Sequence, residues 1–176
     1  INSNGIYTTA NVELQQGVQL THRYSANTSD PDQKFTLPNA NTDTSELVVQ
    51  IQTSASSSNL HTYSVANDTT SINSTANVYF LEEDTDSKYR VYFGDGTLGR
   101  VLTTGNIIVL KSLVADATAP NGAKTFTPTG TVGGYSNVTV TTTSAAAGGA
   151  DRDSISNIKF NAPRNYQAQN RAVTIN

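Results

Sequence analysis

Lys88-Tyr89-Arg90-Val91-Tyr92-Phe93, followed by Gly94-Asp95-Gly96, is the stretch that decides the fold class. Tyr89, Val91 and Phe93 alternate with Lys88, Arg90 and Tyr92. Successive side chains of a strand point to opposite faces, so this period puts an apolar set on one side and a mixed set on the other. Asp-Gly is a strong hairpin signal, because a type I′ turn needs positive φ at both central residues. The expectation is a strand running into such a turn, with Leu98, Val101 and Leu102 resuming the apolar pattern beyond it. A calcium loop is the weaker reading: calcium takes about six to eight oxygen ligands, and one Asp between glycines supplies few.

Further windows behave alike. Val18, Leu20 and His22 alternate with Gln19, Thr21 and Arg23. Residues 47–53 form a β-branched run, residues 60–65 alternate, and residues 107–113 and 138–143 complete the set. Val78, Tyr79 and Phe80, within residues 77–81, make an apolar cluster suited to burial on both faces. Turn signals separate the windows: Asn4-Gly5, Asp30-Pro31, Leu37-Pro38-Asn39, Asn121-Gly122 and Gly133-Gly134. Many short, punctuated strands predict a mainly β fold, here an antiparallel β-sandwich of two packed sheets with a short C-terminal helical connector.

Composition narrows the classes. A chain of 176 residues is one domain, or one domain plus a connector, and can bury about 70% of its unfolded surface. Charged residues are only 14%, and Thr, Ser and Asn together make up about a third, so the surface is wetted by hydrogen bonding more than by charge. The net charge of −3, with no Lys/Arg cluster, argues against nucleic acid as a partner. The absence of cysteine rules out disulfides and thiolate metal sites. No run approaches the ~20 apolar residues of a membrane-spanning helix, so no membrane partner is expected. The chain opens Ile1-Asn2-Ser3 and has no methionine, which reads as a fragment of a longer polypeptide.

The pattern changes at residues 144–149, where small residues and the Gly148-Gly149 pair make a joint with little to pack. Beyond it, Asp151 and Asp153 suit a helix's first turn and Lys159 its end. Ile155, Ile158 and Ala162 share one face, and Pro163 is expected to stop the helix. A helix over about residues 151–161 follows, with boundaries good to about two to four residues. The expected organisation is a β-rich body over residues 1–144 and a Gly-hinged helix and connector over residues 145–176.

Candidate chemistry is sparse. Glu82, Glu83, Asp84 and Asp86 form the one acidic run. It is read as a solvated loop, since neighbours on one loop do not place two carboxylates across a scissile bond. His22 and His61 are far apart in the chain and lack the spacing of a metal pair. Tyr89, Tyr92 and Phe93 offer a stacking platform for a sugar or base, but on strands such rings more often pack across neighbours. Gly133-Gly134-Tyr135 reads as a turn and not a phosphate cradle. No catalytic, metal-binding or cofactor-binding residue is assigned, and the chain is not expected to be an enzyme. Arg152, Arg164 and Arg171, with Asn161, Gln169 and Asn170, are candidate contacts of the connector, because long polar side chains, and Arg's planar fork above all, make several oriented hydrogen bonds. The same groups would serve equally well to cap the helix and satisfy loop carbonyls within the chain.

The run Gly148-Gly149-Ala150-Asp151-Arg152-Asp153-Ser154-Ile155-Ser156-Asn157-Ile158-Lys159-Phe160-Asn161-Ala162-Pro163-Arg164, then Gln169-Asn170-Arg171-Ala172-Val173-Thr174, resembles the signature of the baseplate J-like family. Tyr92-Phe93-Gly94-Asp95-Gly96, the glycine-led strand at Gly105-Asn106-Ile107 and the turn at Asn121-Gly122-Ala123 are similar to further family features. The likeness covers roughly residues 89 to 174, about half the chain, and lies nearest the wedge variety of T-even-like contractile-tailed phages. It implies a structural component of a phage tail baseplate wedge, assembled in the host cytoplasm and resident in the virion. It implies support of baseplate assembly and of the change that triggers sheath contraction. Its partners would be other wedge proteins and a second copy of itself, with this chain alone a monomer or weak dimer. The alternative is a glycan- or receptor-binding β module of a viral fibre or bacterial surface protein, which Thr/Ser/Asn richness and exposed Tyr would suit.

Overall fold

Alternating β-branched and aromatic residues form seven strands in the computed structural model, which describes residues 8, 9, 12–67 and 69–168. They are β1 (Val18–Ser25), β2 (Phe35–Leu37), β3 (Thr42–Gln52), β4 (Leu60–Val65), β5 (Val78–Glu83), β6 (Tyr89–Phe93) and β7 (Ile107–Val114). A single helix, α1 (Ile155–Ala168), follows. The chain divides into two compact units, Ile1–Asp116 and Ala117–Asn176, and every named strand belongs to the first.

The strands join one mixed, nearly barrel-shaped sheet in the order β1-β7-β3-β4-β5-β6-β2, which departs from the expected all-antiparallel sandwich. Two antiparallel blocks, β1-β7-β3-β4 and β5-β6-β2, meet only where Ser64 and Val65 pair in parallel with Val78 and Tyr79. The reason is the link after β4: residues 66–77 cross over, with a 3-10 turn at Thr69–Ser71, instead of reversing in a hairpin. The free edges approach each other at Tyr24 of β1, whose hydroxyl donates to the Thr36 carbonyl of β2 at 2.6 Å. Its ring lies 5.5 Å from Phe35. Burial pushes the Tyr24 phenol above its ordinary pKa, so it stays a donor.

The interior is what the alternation demands. Val91 and Phe93 of β6 face inward with Phe35, Leu37, Val49, Ile51, Tyr63, Tyr79, Ile108 and Leu110. Phe93 meets Phe35 and Tyr63 edge-on at 5.9 and 5.5 Å, the geometry that ring quadrupoles favour. β7 is buried on both faces, Ile108 and Leu110 on one and Ile107 and Val109 on the other. Arg23 of β1 hydrogen-bonds Gln52 of β3 across β7, which lays both side chains over that second face. β3 carries an irregularity between Asp43 and Val48; it lets an 11-residue strand bend around its partner.

Three expectations are corrected. Residues 138–143 form no strand; exposed Thr side chains there find no neighbouring strand to pair with. Gly94-Asp95-Gly96 does not close a hairpin, since β6 pairs only with β5 and β2. The two-residue reversal lies instead at Gly133-Gly134, where both φ values are positive (59° and 88°) and Val132 and Tyr135 exchange backbone bonds at 3.0 and 3.1 Å. Finally, α1 runs through Pro163 to Ala168. One missing N–H on a solvated helix is tolerated at a cost, because water reaches the freed carbonyl.

Candidate functional site

The connector begins at a clamp. The side-chain amide of Asn121 donates from Nδ2 to the Gly149 carbonyl at 2.8 Å, and its Oδ1 accepts the Gly149 N–H at 3.0 Å. Both polar groups of one backbone residue are thus taken by one side chain. The Gly122 N–H donates to the Ala146 carbonyl at 2.7 Å, and the Ala146 N–H to the Ala123 carbonyl at 2.8 Å. Residues 121–123 and 146–149 are therefore held as a short ladder. A Cβ on Gly149 would sit 2.1 Å from the Ala117 carbonyl oxygen, so only glycine permits this approach. Gly148, with φ of 93°, supplies the left-handed bend beside it. The Gly148-Gly149 joint is thus tied to residues 121–123.

From the clamp the chain passes Asp151, which takes the Thr118 hydroxyl at 3.3 Å, and Arg152 on an exposed stretch. Ser154 then caps α1: its Oγ accepts the Asn157 N–H at 3.2 Å and its carbonyl the Ile158 N–H at 2.9 Å. Asp151 and Asp153 consequently precede the helix instead of filling its first turn. The helix has 14 residues, about 21 Å at 1.5 Å per residue. Ile155, Ile158 and Tyr166 are 72%, 47% and 82% exposed and lie on the face that Ala162 shares. Arg164 packs its guanidinium over Phe160, 3.4 Å from the ring centroid. Asn161 is exposed between them. Gln169, Asn170 and Arg171 lie outside the described residues.

The Phe-Gly-Asp-Gly stretch builds a tight loop. Asp95 Oδ1 accepts the N–H groups of Thr97 and Leu98 at 2.8 and 2.9 Å. These bonds hold its carboxyl below the usual pKa range. The loop folds back until Leu98 and Gly99 touch Gly94, where a Cβ would fall 2.3 Å from the Leu98 carbonyl oxygen. Gly96, with φ of 88°, makes the return possible.

The acidic run is tied up by neighbouring cations. Glu82 pairs with Lys34 at 2.5 Å, Asp84 with Arg90, and Asp86 with Lys88 at 2.8 Å. The Lys88 contact also lowers the Asp86 pKa. Among the described residues, no group of three His, Asp or Glu side chains is placed to hold a metal ion. His22 on β1 and His61 on β4 are separated by β7 and β3, roughly 14 Å across three strand spacings. They do not meet. Of the three rings read as a platform, Phe93 and Tyr89 pack against the core, while Tyr92 lies on the outer side and stacks on Phe80.

What the sequence reading missed is Asn121, taken only as a turn residue. Its Asn-Gly context is the sole local signal; nothing in the chain announces that a residue 28 positions later will lie beside it. No protein-family model matches the chain, and no curated protein matches it. No helix among the described residues is long and apolar enough to cross a membrane.

Proposed function

We propose that this chain is a structural module of a contractile phage tail, the β-rich part of a baseplate wedge subunit of the baseplate J-like kind. It acts as a scaffold with no reaction of its own, beside other wedge proteins and a second copy of its polypeptide in the virion. The supporting observation is the clamp. Two stretches that carry the resemblance, Asn121-Gly122-Ala123 and Gly148-Gly149, are separate in sequence yet meet through paired hydrogen bonds. A coupling element needs a stiff lead-in and side chains free to meet a partner. The clamp stiffens the chain ahead of α1, and α1 has Ile155, Ile158, Phe160 and Tyr166 exposed. The change accompanying sheath contraction is then a repacking of interfaces between discrete arrangements, with this element transmitting it.

Immunogold labelling of tailed particles from the source, using antibody against this chain, tests the proposal. Label confined to the tail end away from the capsid is the expected result. Label on the cell envelope, or none on particles carrying intact tails, overturns it.

A further inference from the structure

The outer side of β5 and β6 carries an unexpected aromatic pair. Phe80 and Tyr92 sit directly across from each other, with ring centroids 5.1 Å apart and planes inclined by 16°. The water-facing side of an antiparallel sheet is ordinarily polar, and neither ring contributes to the interior. The Pro31–Lys34 segment and Gly94, Asp95 and Leu98 lie beside the pair and line the same groove. Together they line an open groove of about 390 Å³.

The groove's polar groups are held in place. Lys34 Nζ is fixed between the Glu82 carboxylate at 2.5 Å and the face of Tyr92, 5.4 Å from its centroid. Asp95 is anchored by two backbone N–H groups. Gln33 is oriented by the Asn27 N–H, which its Oε1 accepts at 3.0 Å. Asp32 stands exposed on the same wall.

These charges decide the ligand class. A cationic side chain seeking the aromatic face would meet the Lys34 ammonium already over Tyr92. An anion would meet Asp32 and Asp95. A neutral ring bearing hydroxyls satisfies both signs, donating to the carboxylates and accepting from Lys34 and Gln33. We propose that this groove binds a neutral saccharide.

The test is a ¹H–¹⁵N correlation titration of the whole chain with maltotriose, N-acetyllactosamine and chitotriose, and in parallel with sialyllactose and a triarginine peptide. At least one neutral sugar shifts the amides of Lys34, Tyr92 and Asp95. Asp32→Ala weakens that binding about tenfold, the size of one lost polar contact, and Tyr92→Leu, which removes the ring that Lys34 lies over, weakens it as well. Silence from all three neutral sugars, shifts confined to other residues, response only to the charged probes, or unchanged binding in Asp32→Ala overturns the proposal. Should Tyr92→Leu fail to fold, Asp32→Ala alone decides, because its side chain is exposed. Failure here leaves the scaffold reading standing, since that reading is tested on particles and not on this groove.

Discussion

At the residue scale, two positions carry consequences that can be measured. Asp95 accepts two backbone N–H groups as a carboxylate, and its folded pKa lies below the ordinary value near ~3.9. A depressed folded pKa contributes stability above the unfolded value, and that contribution is lost as pH falls through the folded one. The melting temperature should therefore drop on acidification below about pH 4. Asp95→Asn should flatten part of that drop, because the amide oxygen still accepts both N–H groups without titrating; a fall as steep as in the parent chain would contradict the assignment. Gly149 is the second position. In Gly149→Ala the new methyl collides with the Ala117 carbonyl, so protection of the Gly122 amide against hydrogen exchange should fall about tenfold or more. Gly130→Ala is the control, since a Cβ there meets nothing within 4 Å. The need for glycine at 149 was not readable from the residue itself; its small-residue neighbourhood suggested freedom, while the fold uses the missing Cβ for a close approach.

At the element scale, β7 and α1 stand at opposite extremes. β7 has four consecutive buried residues, Ile107 to Leu110, and pairs on both edges. Leu110→Ala should cost about 2–5 kcal/mol by urea unfolding, the range for a fully buried leucine that leaves a cavity. A loss under about 1 kcal/mol would mean that the site collapses around the deletion. α1 buries nothing over its described side chains, so its stability rests on local terms: the Ser154 cap, the Phe160–Arg164 contact and the Pro163 defect. Proline costs roughly 3 kcal/mol against alanine in a helix interior. Pro163→Ala should raise helical ellipticity at 222 nm, and no gain would place the proline outside the hydrogen-bonded part of the helix. Strands were legible from alternation or from β-branched and apolar runs; six of the seven overlap windows so marked. β2 escaped because three residues are too few to show a period. α1 overran its expected end because proline lowers the odds of a helix without forbidding one.

For the whole molecule, the relevant quantity is what the exposed side chains do in solution. Ile155, Ile158, Phe160 and Tyr166 are a narrow set on one exposed helix, far from the ~800 Å² per partner of a stable interface. Multi-angle light scattering of the chain alone should thus report a monomer or weak, concentration-dependent dimer. A tight higher oligomer would require a surface outside this helix. A net charge of −3 is consistent with a chain that repels its copies only weakly.

The residues by themselves determined that the chain is mainly β, where most strands run, and that a helix follows residue 150. Those properties are local, since they depend on neighbours within a few positions. Only the tertiary structure decided that β4 joins β5 in parallel, that the strands curl into one nearly closed sheet, that Asn121 grips Gly149, and that Phe80, Tyr92, Lys34 and Asp95 border one groove. Each of these depends on pairing between segments distant along the chain, and pairing is chosen by the burial of the whole interior, which no single window of residues encodes.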